Sequence, residues 1–425
     1  MQKILNNHSS LVWWKVPRLL SSLILISGFL IGSFSPFAPL LSQETKLSIV
    51  DADGKFSIAI YPDTQMEVFE SIPAQHSAVP ATRFRNRSQW LVDNKDRFDL
   101  RFVLHTGDMV NWEDDKEQSQ YKVASNGFEP LDGVIPYAIA PGNHDTYAVG
   151  PSGGSARDTA HTRTYVRITT VFNTFFPMSR FPGAITYEPD RIDNAYQTFR
   201  AGGVKWLVLT LELWPRKGVI DWAEEVIASH PDYNVIIGTH AYLNGNGTIA
   251  QNSDYGERSP QYLYDNLVKK YANIKMVFCG HTGHIADRTD TGDHGNKIVS
   301  TVACIHEQRT NPVQIMEIDV NEGTLTRRFF APFDDYATGS EWENAGKTIT
   351  DMEFVKPVSE KPALSDTLKR ASVFEEKAYT PASWTDFQAA LTSAKTVLDN
   401  PQSTDAEYLA AISAIINAKN GPKKD

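Results

Sequence analysis

A chain of 425 residues, 41% hydrophobic and 22% charged, holds enough apolar material for a large folded domain with a smaller companion, and it is not a disordered polymer. Its net charge of -10 excludes a non-specific grip on nucleic acid, which depends on lysine and arginine displacing counterions. The same charge does not exclude a phosphate ester as substrate, because bound metal ions reverse the local field.

Taken in order, the chain opens with a targeting pattern. Lys3, Lys15 and Arg18 precede an apolar run from Leu19 to Ile31, followed by small residues and Pro36. Residues 1–45 are therefore expected to be a signal peptide, with Gly32 to Ala38 as the cleavage region, or else an uncleaved membrane anchor. Either form puts the rest of the protein outside the cytoplasm, in the medium or at the cell surface.

Beyond the polar gap Ser42 to Lys46, the run Phe56 to Ile60 reads as a strand ending at Tyr61-Pro62-Asp63-Thr64-Gln65. A helix is expected over Arg85 to Asp96, then a strand Phe102 to His105 ending at Thr106-Gly107-Asp108. The strand Pro136 to Ala140 leads into Gly142-Asn143-His144-Asp145, and the Gly/Ser/Pro-rich stretch Val149 to Asp158 reads as a surface loop. Val204 to Leu211 is a strand followed by an amphipathic helix around Ile220 to Ser229. Two more strands end at Gly238-Thr239-His240 and Gly280-His281. Runs at Ile298 to Ile305, Val313 to Val320 and Thr324 to Phe330 lack intervening helices and suggest a second sheet packed on the first. Residues 336–361 read as an edge strand, Asp351 to Val355, plus linker.

The pattern changes to helical near Pro362. Leu364, Leu368, Ala371 and Phe374 recur at helical spacing; Thr380-Pro381 is an N-cap with a first-turn proline; Trp384, Phe387, Leu391, Ala394 and Leu398 continue the stripe. Thr404 with Glu407 makes a capping box before Tyr408, Ile412 and Ile415. Residues 362–420 should form a three-helix bundle with its aromatic stripe as core.

Five strand ends thus carry Asp63 with Gln65, Asp108, Asn143 with His144, His240 and His281. Glycine at these ends suits a sharp turn and a close backbone approach, and open α/β sheets place ligands beyond the carboxyl ends of their strands. Carboxylate, imidazole and amide oxygen make a donor set suited to manganese, iron, zinc or magnesium. A carboxylate between histidine-bearing loops can bridge two ions, which together would clamp an in-line displacement at phosphorus and make hydroxide available near neutral pH.

The ordered motifs PDTQ, TGDMVN, GNHD, GTH and CGH resemble those of the calcineurin-like metallophosphoesterases, in particular their secreted members with PDTQ first, from Phe56 to Phe333. The resemblance implies an α/β, four-layer αββα sandwich over residues 46–335, two β-sheets flanked by helices, with a dinuclear centre at the strand ends. It implies that Asp108 bridges two divalent ions, that Asn143, His240 and His281 complete one site, and that Asp63 and Gln65 belong to the other. His144 would be the general acid, with Asp145 orienting its ring. The chain departs from the family in two places. Gln65 stands where D-x-H has histidine, and His284 comes one residue late for G-H-x-H, leaving its role as a ligand open. Separately, Tyr379-Thr380-Pro381-Ala382-Ser383-Trp384 with Leu391, Ala394 and Leu398 resembles the FIVAR module of bacterial surface proteins, which implies contact with cell-wall or surface carbohydrate.

The remaining candidates have plainer readings. Cys279 and Cys304 are read as two buried thiols in preference to a disulfide. His105 is read as a hydrogen-bonded core histidine, Arg288 as solvated, and Asp287, Asp290 and Asp293 as a turn. Glu212, Trp214 and Arg216 follow a strand and either position substrate or form an ordinary loop. The resulting expectation is an exported phosphoesterase acting on a small mono- or diester. The alternative is a cell-surface carbohydrate- or wall-binding protein whose metal centre has degenerated.

Overall fold

The computed structural model describes residues 54–68, 82–112, 118–153, 156–305, 312–332, 340–341, 346–356 and 360–422. The expected targeting segment lies outside these residues. Among the described residues no helix is long and apolar enough to cross a membrane.

Strands β1 (Lys55–Tyr61), β2 (Leu100–His105) and β3 (Tyr137–Ile139) come first, then β4 (Ile185–Thr186), β5 (Ala195–Ala201), β6 (Val204–Leu211), β7 (Tyr233–Thr239) and β8 (Ile274–Cys279). The chain continues through β9 (His284–Thr291), β10 (Lys297–Cys304), β11 (Val313–Asp319), β12 (Thr324–Ala331), β13 (Ser340–Glu341) and β14 (Lys347–Ile349). One sheet has the order β13-β12-β11-β1-β2-β3 with β14 on β12; the other runs β4-β5-β6-β7-β8-β10-β9. Parallel pairing joins β1 to β2 and β2 to β3 in the first sheet, and β6, β7, β8 and β10 in the second.

The alternation along single strands builds the layers. In β1, Phe56, Ile58 and Ile60 face the space between the sheets, where they meet Phe102, Leu104, Trp206, Val208, Ile236, Met276 and Phe278. Ala59 and Tyr61 point the other way, into a core with Phe84, Trp90 and Leu91 of the helix Arg83–Asp93 and Tyr121 and Phe128 of the helix Ser119–Phe128. In β6, Leu207, Leu209 and Leu211 face a third core with Val219, Ile220 and Ala223 of the helix Lys217–Ala228. Three cores between four layers give the αββα sandwich. Strands buried on both faces read as continuous apolar runs, and each large side chain so buried contributes about 1.5–3 kcal/mol.

Several expectations need correction. The late runs do not form a sheet of their own: β10 joins β8, while β11 and β12 join β1. Both sheets are therefore assembled from distant parts of the chain. The strand expected at Asp351 to Val355 is irregular, and the edge strand is β14 instead. The first helix starts and ends earlier, at Arg83–Asp93.

The C-terminal helices Lys361–Ala371, Pro381–Asp399 and Asp405–Lys419 share a core of Leu364, Phe387, Leu391, Ala394, Tyr408 and Ile415. Tyr379 stacks on Phe387 at 5.5 Å, which places that part of the aromatic stripe in the core. The Thr380 hydroxyl accepts from Ser383 N, and the Thr404–Glu407 capping box forms in both directions. Caps of this kind are worth about 1 kcal/mol each. Arg200 of β5 pairs with Glu360 at 2.7 Å just ahead of these helices, and both side chains are largely buried.

Candidate metal centre

The carboxyl ends of the parallel strands of both sheets lie along one edge of the sandwich. Asp63 follows β1, Asp108 follows β2 and Asn143 follows β3; His240 follows β7 and His281 follows β8. Asp108, His240 and His281 come together from two facing sheets, not from neighbours in one.

Asp108, His240 and His281 bring one ligand atom each to within 4.8 Å of one another. His240 Nδ1 donates to the Thr106 carbonyl at 2.9 Å, which leaves Nε2 as an acceptor. That nitrogen lies 3.1 Å from Asp108 Oδ2 and 3.3 Å from His281 Nδ1. Acceptor atoms facing each other so closely in a buried place require a cation or a proton between them. The electrostatics agree. Burial opposes a charge on His240, but the Asp108 and Asp63 carboxylates bring its pKa up to about 9. Burial would raise Asp108, yet His240, then His144 and His281, hold it below the ordinary carboxylate range.

Asp63 and Gln65 are both buried. Asp63 Oδ2 accepts from His281 N at 3.0 Å and from the Cys304 thiol at 3.0 Å. Gln65 Oε1 and Asn143 Oδ1 are buried amide oxygens with no hydrogen-bond partner among the described residues. Orphaned acceptors of this type cost 1–3 kcal/mol or so unless a ligand satisfies them. Buried, unsatisfied amide oxygens and a carboxylate–imidazole cluster are donors that fit divalent metal ions.

Close backbone approach explains two of the glycines. A Cβ on Gly142 would collide with the Asp108 carboxylate and lie 2.5 Å from its backbone nitrogen. A Cβ on Gly280 would overlap Asp63 Oδ1. Asp108, Trp214 and His281 also hold left-handed backbone, with φ of 54°, 44° and 72°. Non-glycine residues pay roughly 1–3 kcal/mol each for such conformations and persist in them where the surroundings enforce them.

His144 is half-buried, with Nδ1 donating to the Asn111 carbonyl at 2.6 Å and Nε2 3.9 Å from Asp108 Oδ2. The ring is therefore held by Asn111, not by Asp145 as the resemblance suggested. Asp145 has a different task. Its buried carboxylate accepts from the backbone amides of Asp108, Met109 and Gly142, each at 2.8 Å, and from Val110 at 3.3 Å, tying the second motif to the third.

Cys304 was missed as a neighbour of the centre. It ends β10, which runs parallel to β8, so the rule that locates the other residues locates it too. Cys279 and Cys304 are both free, buried thiols. In the register of β9 and β10, His284 stands opposite Cys304. His105 is a core histidine as read: Nδ1 accepts from Gly107 N and Nε2 meets Thr64 Oγ1, each at 3.0 Å. Glu212 and Arg216 pair with each other, whereas Trp214 sets its ring edge-on to His281 at 5.3 Å. Arg288 pairs with Asp290 at 2.7 Å, and Asp287, Arg288 and Asp290 lie on strand β9, not in a turn.

A two-sheet sandwich with a cation-seeking edge defines the class of protein. Residues 58–284, more than half of the chain, match the model of the calcineurin-like phosphoesterases, and the chain belongs to that family. Over 213 residues it is 29% identical to the uncharacterized protein YvnB of Bacillus subtilis (strain 168); the match covers 49% of this chain and 15% of YvnB. Among solved structures, it is similar to a purple acid phosphatase from yellow lupin (Lupinus luteus) seeds, with TM-score 0.44, 14% identity and coverage of 70% of this chain and 54% of that one. A dimetal phosphatase from Danio rerio matches with TM-score 0.42 and 12% identity, covering 69% of this chain and 98% of the other.

Proposed function

We propose that the protein is an exported phosphoesterase that hydrolyses a phosphate mono- or diester with the help of two divalent metal ions. The observation that carries this reading is the meeting of Asp108 Oδ2, His240 Nε2 and His281 Nδ1, with His144 Nε2 facing the same carboxylate.

In this reading Asp108 would be shared by both ions; Asn143, His240 and His281 would hold one, and Asp63 with Gln65 the other. When bound, such ions neutralise phosphate charge and lower the pKa of water at the site. The chain's own residues do the rest. The carbonyl of Thr106 fixes the His240 tautomer and keeps Nε2 turned to the centre. The carbonyl of Asn111 holds the His144 ring by Nδ1–H, so that Nε2 faces the centre and, in the doubly protonated imidazolium, delivers its proton to the departing oxygen. Asp145 locks the peptide groups around Asp108 and Gly142, so both loops present their side chains without rearrangement. An amide in place of imidazole at Gln65 favours harder ions at that position.

Export rests on the basic and apolar pattern of residues 1–45, and a cleaved signal is favoured over an anchor. The FIVAR-like helices 362–420 are proposed to hold the enzyme near wall or surface carbohydrate. Elemental analysis of the purified protein, with nitrophenyl phosphate mono- and diester assays under added manganese, tests the reading. Bound metal near two equivalents, hydrolysis, and a loss of orders of magnitude in Asp108→Asn support it. A protein with neither metal nor hydrolysis sinks it. Unchanged behaviour of Asp108→Asn would favour a surface-binding protein.

A further inference from the structure

Beside the centre lies a cavity of about 330 Å³, and His281 lines both. Trp214 forms part of its wall; its other polar side chains include Asn244, Gln251, Asn252, Asp254 and Thr282. The segment that presents Trp214 is firmly held. Arg167 donates to the carbonyls of Leu213 and Trp214 at 2.8 and 2.6 Å and pairs with Glu212 at 3.3 Å. Arg216 is engaged by Glu212 and Glu188, each at 2.7 Å. Tyr255 stacks on the indole with planes 8° apart at 5.5 Å. Gly256 has no room for a Cβ against Trp214.

Two features of this cavity point to its occupant. The indole Nε1 of Trp214 is a buried donor with no hydrogen-bond partner among the described residues. Buried tryptophan N–H groups ordinarily have one, and a ligand oxygen would supply it. The second feature is charge. The lining includes a carboxylate, Asp254, and, among the described residues, neither lysine nor arginine. Both arginines that support the wall are already committed to carboxylates. A second phosphate or a carboxylate on the substrate would meet Asp254 with no cation among the described lining residues to offset it. Carboxamides and a carboxylate beside an indole suit hydroxyl groups, which both donate and accept.

We infer that this cavity is a subsite for the organic part of the ester, and that it selects an uncharged polyhydroxylated group, a sugar or polyol, against anionic ones. The inference rests on the phosphoesterase reading for its link to turnover, but not for binding. Trp214 is part of the wall and the donor of the subsite; Asp254 is the acceptor and the anion filter.

The full-length protein, supplemented with manganese, is assayed on glucose phosphate, glycerophosphoglycerol, a nucleoside diphosphate, phosphocholine and nitrophenyl phosphate. Glucose phosphate reports a free sugar monoester, and glycerophosphoglycerol a polyol diester of headgroup type. A preference in kcat/KM of on the order of tenfold or more for one of these polyol esters over the nucleoside diphosphate is expected. Trp214→Phe, which keeps an aromatic wall and removes the donor, should shrink that preference by about three- to tenfold. Asp254→Lys, a change at an exposed position, should reverse it in favour of the nucleoside diphosphate. A preference for the diphosphate or phosphocholine in the wild type, or a ratio that neither variant moves, overturns the inference. Failure to hydrolyse every ester, nitrophenyl phosphate included, would fall on the phosphoesterase reading alone. The subsite is then judged by tryptophan fluorescence on titration with glucose phosphate: a saturable change that Trp214→Phe weakens supports it, and none refutes it.

Discussion

The thiol of Cys304 donates to Asp63 Oδ2 at 3.0 Å, joining the end of β10 to the first motif across 241 residues of chain. The backbone N–H of His281 donates to the same oxygen, so Asp63 Oδ2 is held from two sides. A carboxylate whose one oxygen is fixed presents the other in a defined direction, and groups that orient metal ligands in this way matter about 10–100-fold in metal affinity. Burial, and then the Asp63 carboxylate, raise the Cys304 pKa well above its ordinary value, so the group stays a thiol and a donor. Cys304→Ala is therefore expected to weaken retention of metal against a chelator by about tenfold or more. Cys304→Ser, which keeps a donor, should lie close to wild type. Equal retention in both variants would show that the thiol only fills space.

His144 gives a prediction about leaving groups. Its Nδ1 is committed to the Asn111 carbonyl, so the working nitrogen is Nε2, 3.9 Å from Asp108 Oδ2. Positioned general acids contribute typically 10²–10⁴-fold, and the contribution matters most where the departing alkoxide is a strong base. His144→Ala should slow alkyl phosphate hydrolysis by about two orders of magnitude or more and nitrophenyl esters far less. Parallel losses on the two substrates would remove His144 from this role.

How much of this could be read in the sequence depends on the kind of contact involved. Strand, glycine and ligand were legible together because buried parallel strands are apolar on both faces and end abruptly, as at Phe102 to Asp108. The division of those strands between two sheets was not legible, because β10 and β11 look alike as runs of letters and differ only in which distant strand they pair with. The same blindness hid Cys304, whose neighbour Asp63 is set by β10 lying parallel to β8. Asp145 was found but misassigned. A side chain accepting backbone amides from another loop leaves no spacing signal, whereas the adjacent His144 invited a partner by proximity. The hold of Asn111 on that ring runs through a carbonyl, which every residue has.

Gly142 tests the close packing of the two motifs. Its missing Cβ is the space in which the Asp108 carboxylate sits. Gly142→Ala should push Asp108 away from His240, so that the protein remains folded but loses metal and activity together. Circular dichroism and elemental analysis on the same sample would read this. Full metal content in the variant would mean that the loop yields and the packing is not decisive.

His105 supplies a dependence of stability on pH that is separable from catalysis. Burial is the largest cause of its lowered pKa, about 3 against an ordinary 6.5, and Asp63 opposes the shift without overcoming it. The hydrogen bonds agree: Nδ1 accepts from Gly107 N, so the proton sits on Nε2, facing Thr64 Oγ1, and a second proton would have to displace the Gly107 amide. The folded protein therefore takes up this proton less readily than the unfolded chain. Its contribution to stability is complete above pH about 6.5 and is lost progressively as pH falls toward 3, on the order of a few kcal/mol in all. Glutamine can offer an acceptor and a donor in similar places and does not titrate. Urea unfolding of chelator-treated wild type and His105→Gln between pH 7.5 and 4 should give curves that diverge below pH about 6.5, with the wild type falling more steeply. The other titrating groups are common to both proteins and cancel in the difference. Parallel curves over that range would mean that His105 carries a proton in the fold.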